Sequence, residues 1–234
     1  MHLFFASDAD KVVFCLSPEE SKHCLKVMRF RQGDCIYVTN GKGLIIEGTV
    51  LDENPAGLGV RNDRTFRKSE ARDFQLHIAL SPLKNPSRFE WFVEKATELK
   101  VSRITPLICE RTEKKTIRTD RLQKIAMEAA KQSLSEFLPQ IDDAVSFKDF
   151  TGSASQDEGK YIAVCHSNDR TSFQKVSDKN IICLIGPEGD FTEAEVNSAL
   201  ASGYLPVSLG EARLRSETAG ILAVSAMFLK HQNE

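Results

Sequence analysis

Along this chain the spacing of apolar residues changes character near residue 74. Before it, apolar positions come in short runs. Val12-Val13-Phe14-Cys15-Leu16 predicts a strand, and Cys35-Ile36-Tyr37-Val38-Thr39 alternates with period two. Asn40-Gly41 follows and Leu44 to Val50 returns, which predicts a hairpin. Ser17-Pro18-Glu19-Glu20 marks a helix start, with proline at the first position and Ser17/Glu20 at capping-box spacing. That helix carries His23, Leu25 and Val27-Met28, and Leu58-Gly59-Val60 opens another strand. Residues 61–73, RNDRTFRKSEARD, have no apolar periodicity and read as a linker.

From Phe74 onward, strand and helix patterns alternate. Phe74 to Leu80 predicts a strand ended by Ser81-Pro82-Leu83-Lys84. Phe89, Phe92, Val93, Ala96 and Leu99 then keep helical spacing. Ile104 to Ile108 is a second strand. Asp120 and Gln123 are placed to cap a helix with Leu122, Ile125, Ala126 and Ala129 on one face. Thr151 to Lys160 reads as a surface loop, Tyr161 to Cys165 as a strand, and Ser167 to Asn180 as a polar stretch with room for a short helix. The apolar run Ile181 to Ile185 fits a strand buried on both faces. Gly186-Pro187-Glu188-Gly189-Asp190-Phe191 turns the chain, and Thr192 with Glu195 forms a capping box for a helix from about residue 193. Gly203 is placed to end it. Leu205 to Leu209 is another strand, Gly210 breaks it, Glu211 to Ser216 is a loop, and a long helix runs from about Glu217. Strands alternating with helices predict an α/β domain with a largely parallel sheet, in which ligands bind at the carboxyl ends of strands. Both glycine-bearing loops sit at such ends.

Composition narrows the function classes. The chain has 234 residues, 41% hydrophobic, with a formal net charge of −2. The length suits one large or two small domains. The charge excludes a global polycation and leaves local basic patches to decide nucleic-acid binding. No apolar stretch is long enough to span a membrane. The N-terminus MHLFFASDAD has acid and no basic region, unlike a secretory signal. The cysteines at 15, 24, 35, 109, 165 and 183 form no CxxC pair. Buried free thiols in a reducing cytoplasm fit better than a zinc site, and no metal is expected. The glycine loop matches neither GxxxxGK[ST] nor GxGxxG.

GPEGDF, followed about twenty residues on by LGEARLRSETA, resembles the signature of the RsmE family, the 16S ribosomal RNA uridine-N3 methyltransferases of the SPOUT superfamily. HCLKVMR, KATEL and a KQS segment agree in order. The resemblance implies an α/β fold: a SPOUT domain over 74–234 with a C-terminal trefoil knot, plus a small N-terminal PUA-like β-barrel RNA-binding domain over 1–70. Knots are nearly absent from proteins, and periodicity alone would lead to an ordinary doubly wound sheet. It further implies S-adenosylmethionine as cofactor, 16S rRNA in the small ribosomal subunit as partner, a homodimer and a cytoplasmic location. Phe137 and Leu138, apolar just before Pro139, are candidates for the dimer contact.

Site residues follow from both sources. Gly186, Gly189 and Gly210 let backbone approach a cofactor, with Pro187 and Glu188 in the same loop. Leu184, Leu209 and Leu214 supply apolar walls, and Thr218 and Ala219 lie in the first turn of the last helix, whose free amides suit a polar group. Arg215 is the first choice for gripping RNA phosphate or a uracil carbonyl as negative charge develops, with Glu217 orienting it or accepting from the ligand. An ion pair of Arg215 with Glu217 or Glu211 is the structural alternative. Lys22, Lys26, Arg29 and Arg31 lie in an acid-free stretch, the first three at i, i+4, i+7, and suggest a phosphate-contacting helix face. A merely solvated face would look the same. Lys84 and Gln132 match motif positions and are assigned to RNA; His166 ends a strand and ranks below them. Asp190 stands where the family has a third glycine, Arg213 replaces an apolar residue, Lys100 a glycine and Ser135 an arginine, which puts one RNA contact in doubt. A non-catalytic RNA-binding assembly factor and a different nucleotide-using α/β enzyme are the competing readings.

Overall fold

The computed structural model describes residues 1–153, 158–165 and 170–231. The chain divides into two compact units, residues 1–72 with 127–138, and residues 73–126 with 139–234. The segment 127–138, expected within the larger domain, thus clusters with the N-terminal unit.

The first unit is built on five strands: β1 (Leu3–Phe5), β2 (Val13–Cys15), β3 (Cys35–Thr39), β4 (Leu44–Val50) and β5 (Gly59–Lys68), in the order β1-β3-β4-β5-β2. One face of the sheet buries Ile36, Val38, Ile46, Val50 and Val60 with Phe4, Phe14 and Leu16. The β3–β4 pair is antiparallel, as Asn40-Gly41 predicts. The connection is longer than a two-residue turn: Gly41 and Gly43 both take positive φ, and Asn40 Oδ1 accepts from the N–H groups of Lys42 and Leu44. Phe137 and Leu138 pack against this hairpin, where a Cβ on Gly41 would lie 2.8 Å from Leu138 and one on Gly43 2.9 Å from Phe137. They serve this unit's own packing, which removes the reason for assigning them to a dimer.

Two local expectations change here. Residues 61–68 are strand β5, not linker. Its outer residues are exposed and charged, so burial leaves no alternating trace, and backbone pairing with β4 holds the strand. The helix α1 (Pro18–Lys22) starts as expected, with Ser17 Oγ accepting from the Glu20 N–H at 3.2 Å. The Glu20 carboxylate does not return to the cap. It accepts from the Phe5 N–H at 3.0 Å and from Lys131 Nζ at 2.7 Å. From His23 to Val27 the helix widens to π geometry, and Arg29 lies beyond its cap with φ 62°. The i, i+4, i+7 relation of Lys22, Lys26 and Arg29 therefore does not define one helical face.

The second unit runs β6 (Gln75–Leu80), α2 (Pro86–Glu98), β7 (Arg103–Ile108), α3 (Thr119–Gln132, whose end belongs to the first unit), β8 (Gln140–Ile141), β9 (Val145–Ser146), α4 (Phe147–Ser153), β10 (Gly159–Ala163), β11 (Thr171–Ser172), β12 (Asn180–Ile185), α5 (Glu193–Ala201), β13 (Leu205–Ser208) and α6 (Ser216–His231). A 3₁₀ turn, Phe173–Lys175, fills the polar stretch before β12. The sheet order is β11-β13-β10-β12-β6-β7-β8, with β9 also on β7, and each of these pairs is parallel. Asp120 lies inside α3, paired with Arg118, rather than capping it. The Thr192/Glu195 capping box forms, and Gly203 follows α5 with φ 85°. β12 is central and alternates strictly. Ile181, Cys183 and Ile185 enter the core shared with α2 and α6, while Ile182 and Leu184 enter the core with Phe147, Phe191 and Tyr204.

Candidate active site

The loops after β6, β7 and β12 meet at the carboxyl ends of those strands, and the loop after β13 packs Leu209 and Leu214 against the core beside them. The 186–192 loop is a tight turn, with the Asp190 N–H donating to the Pro187 carbonyl at 3.0 Å. Its left-handed residue is Asp190, with φ 62°, and not Gly189. Asp is one of the few side chains that tolerate this region, so the departure from glycine is accommodated without loss of the turn. A branched residue at Gly189 would thus act by bulk against Arg111, 3.4 Å from the added Cβ, and not by backbone strain. Strain belongs to Asp190. Asp190→Gly should leave thermal stability within about 0.5 kcal/mol. Asp190→Val should lower it by about 1–2 kcal/mol, read from chemical denaturation.

The turn is strapped from β6 and β7. Arg111 Nη1 donates to the Gly189 carbonyl at 2.7 Å and the Phe191 carbonyl at 3.4 Å. The Glu110 N–H donates to Glu195 Oε1 at 2.8 Å, and the Lys84 N–H to Glu188 Oε1 at 3.1 Å. Beneath them Ser81 and Thr112 share a buried hydroxyl contact of 2.8 Å. Cys109 is buried here, and burial pushes its thiol up to about 12, so it stays protonated. Sequence reasoning missed Arg111. Its partners lie 78 and 80 positions away and leave no local signal.

At the start of α6 the arrangement is asymmetric. Glu217 is buried; its Oε1 lies 3.7 Å from Arg88 Nε, while its Oε2 has no hydrogen-bond partner. Buried carboxylate oxygens rarely stay unpaired, and this one meets no protein donor among the described residues. Arg215 is exposed, and among the described residues its guanidinium makes no ion pair with Glu217, Glu211 or any other acid. Thr218 is exposed, and the Ala219 N–H is already committed to the Arg215 carbonyl at 2.8 Å, so the free first-turn amides are those before it. Arg88 is a further residue that sequence reading did not single out.

The walls divide. Leu209 and Leu214 are half-buried against the α2–α6 core, whereas Leu184 is fully buried on the opposite face of β12. The adjacent residue on the face of Leu209 is Ile185. Gly210 has φ 130° and open space around its missing side chain, while Gly186 is closed by Phe191, 3.2 Å from an added Cβ. Pro187 is buried under the turn and Glu188 is exposed. Lys84 pairs with Glu113 at 3.0 Å on the surface. Gln132, exposed at the end of α3, belongs to the first unit, as do the exposed Lys22, Lys26, Arg29 and Arg31, the last paired with Glu53 at 3.5 Å. His166 lies outside the described residues.

A separate cavity of about 490 Å³ opens near the amino ends of β6 and β7, lined by His77, Arg103, Thr105 and Asp142 among others. Burial, and secondarily Arg103, holds His77 down to about 4, so it is neutral at pH 7. It lies at the other end of the strands from the glycine loops. Among the described residues, no cluster of His, Cys, Asp or Glu could hold a metal. Three of the six cysteines, Cys15, Cys35 and Cys165, are exposed rather than buried, and all six are free.

Comparison with known proteins agrees with this geometry. Residues 70–228 match the RNA methyltransferase domain family, and residues 16–58 match the RNA methyltransferase PUA domain. The crystal structure of a probable rRNA-methyltransferase from Porphyromonas gingivalis is 32% identical, covers 96% of each chain and superposes with a TM-score of 0.86. A Legionella pneumophila protein, solved with the bound cofactor SAM, is 27% identical over 93% of this chain and 92% of its own, with a TM-score of 0.82. The ribosomal RNA small subunit methyltransferase E of Mesomycoplasma hyopneumoniae is 26% identical over 96% of this chain and 98% of the relative. Fold and site together define an α/β RNA methyltransferase carrying a PUA domain. Within that class, the chain belongs to the ribosomal RNA small subunit methyltransferase E (RsmE) family.

Proposed function

We propose that this protein transfers a methyl group from S-adenosylmethionine to N3 of a specific uridine in the 16S rRNA of the small ribosomal subunit, in the cytoplasm. The observation that carries the reading is the buried, unpartnered Glu217 Oε2 at the start of α6, among loops of a methyltransferase fold. S-adenosylmethionine supplies an electrophilic methyl group on a sulfonium. Glu217 would accept a hydrogen bond from an N–H or O–H of the bound cofactor. Gly186, Pro187, Glu188 and Gly189 form one rim, with Arg111 fixing the turn. Leu209, Gly210 and Leu214 form the other, and Thr218 closes the first turn beside them. Uracil N3 must give up its proton to solvent, which develops negative charge on the ring carbonyls until the methyl bonds to N3 and the neutral thioether leaves. Arg215, with its guanidinium uncommitted among the described residues, would neutralise that charge. Positioning of the two reactants supplies most of the remaining acceleration.

The same reading includes the domain division 1–70 and 74–234, a trefoil knot in the C-terminal segment and a homodimer through the larger domain. The knot is proposed from membership of the RNA methyltransferase domain family, with the last segment, β13 and α6, as the part that would be threaded. Leu222 and Leu229, both exposed and seven residues apart on α6, support a helical contact between copies. A stable monomer by light scattering at micromolar concentration would refute the dimer.

Titration calorimetry with S-adenosylmethionine, beside a methyl-transfer assay on small-subunit particles, tests the central reading. A folded protein that binds RNA and not the cofactor would establish the non-catalytic alternative instead. Lys22, Lys26, Arg29 and Arg31, with Lys84 and Gln132, are assigned to RNA. Replacing Lys26 and Arg29 together with alanine should reduce the slope of log affinity against log salt by about 1.5, because about 0.7–0.9 counterion is released per phosphate contact. Cofactor affinity should not change. A parental slope would make these residues a solvated surface.

A further inference from the structure

The outer face of the first unit's sheet carries a feature that the basic stretch at 22–31 does not. β5 reads GVRNDRTFRK, with four cations against one acid. Its register with β4 slips twice, between Ile45 and Ile46 and between Glu47 and Gly48. Each slip inserts an extra residue in β5, Phe66 and Asp63 respectively, and so brings it to the side of its outward neighbours. Tyr37, Glu47 and Arg64 stand opposite one another across β3, β4 and β5, and Arg61 lies opposite Thr49 on the same side. Side-chain contacts agree: Glu47 Oε2 accepts from Tyr37 Oη at 3.2 Å and from Arg64 Nη2 at 2.7 Å. The Phe66 ring packs edge-on against Tyr37, with centroids 4.9 Å apart, and is still 44% exposed. Phe66 is thus a large aromatic face held in place by a second ring and left open to water.

The cations around it remain available. Arg61, Arg64 and Arg67 are paired with Asp63, Glu47 and Glu136, but their side chains stay 52%, 68% and 49% exposed. Pairs this exposed hold their partners weakly, and each guanidinium has five N–H donors to share. An aromatic stacking surface flanked by guanidinium groups matches the chemistry of single-stranded nucleic acid, whose bases present π-faces and whose backbone presents phosphates. It does not match duplex RNA, where the bases are already stacked.

We propose that the outer face of β3–β4–β5 binds a single-stranded stretch of RNA, with a base stacked on Phe66 over Tyr37 and its phosphates on Arg61 and Arg64. Glu47 holds Tyr37 and Arg64 in place. This deepens the function proposed above and rests on its RNA substrate. It names a second RNA surface, one that recognises unpaired bases.

The test uses the full chain and a fluorescent oligouridylate, read by anisotropy across a salt series. Phe66→Ala should weaken binding about tenfold, the scale of one lost stacked base, without changing the salt slope. Phe66→Trp should restore binding, and duplex RNA should be insensitive to both changes. Arg64→Ala should lower the slope. Parental affinity of Phe66→Ala, or full rescue by Phe66→Leu, would overturn the proposal. So would a change of oligomeric state in Phe66→Ala by light scattering with RNA affinity intact, since the face would then hold a second copy. Thermal melts establish that each variant is folded. Failure of the parent to transfer methyl groups would sink the enzymatic reading and leave these binding measurements standing, so the two ideas fail separately.

Discussion

Replacing Arg215 with alanine is expected to slow methyl transfer by about a hundred- to a thousandfold, the usual loss when one preorganised partner of developing charge is removed. Arg215 is exposed in the loop that leads into α6, and among the described residues no acid pairs with its guanidinium. It is therefore free to meet a ligand, and its removal leaves no buried acid behind. Folding stability should change by less than about 0.5 kcal/mol, as for other surface positions. RNA affinity should fall little, because the basic residues of the first unit remain. Cofactor affinity should be nearly parental, since Glu217 and the glycine loops are untouched. Single-turnover rates with saturating small-subunit particles would isolate the chemical step. Arg215→Lys should recover only part of the rate, because a point charge cannot reproduce the planar fork. A parental single-turnover rate for Arg215→Ala would remove the residue from catalysis.

What the sequence made legible was whatever depends on local chemistry. The apolar run at Ile181–Ile185, the capping box of Thr192 and Glu195, and the hairpin at Asn40-Gly41 each depend on neighbours within a few positions, and each formed. The linker reading failed over 61–68, because β5 is held by backbone pairing and an outward charged row, which carries no burial period; the boundary between the units still falls inside 69–73. Leu184 and Ile185 show another limit. Both are apolar and adjacent, but alternation sends them to opposite cores, and only the sheet's register decides which one faces the site. Arg111 and Arg88 were invisible for a different reason. Their partners, Gly189 and Glu217, are far along the chain, and one arginine in a charged stretch resembles any other until the loops meet. The motif marks the Glu217 carboxylate, while its burial and its unpaired oxygen emerge only when α6 packs.

That packing turns on Gly220, and Gly220→Val should destabilise the protein strongly. Glycine inside a helix costs about 1 kcal/mol relative to alanine, so its presence four residues into α6 needs a compensating reason. The reason is Phe92 of α2. A Cβ built on Gly220 would lie 2.5 Å from its Cε2 and 2.8 Å from its Cδ2. Phe92 is itself fully buried and packed edge-on to Phe89, with ring centroids 5.9 Å apart, so it has little room to yield. Valine at this position must drive the helices apart or force Phe92 from its rotamer, at a cost of about 3 kcal/mol. The expected result is a lower urea midpoint with an unchanged slope, which marks lost stability rather than an altered denatured state. Because Glu217 lies one turn before Gly220 on the same helix, any shift of α6 also moves the carboxylate. Cofactor affinity should therefore fall under conditions where the variant is still folded. Phe92→Ala alone should cost about 3–5 kcal/mol by opening a cavity. The double variant should be more stable than the sum of the two losses predicts, because the valine fills space that the ring vacates. Strict additivity of the two changes would show that Gly220 and Phe92 do not compete for the same volume, and that α6 is positioned by something other than this contact.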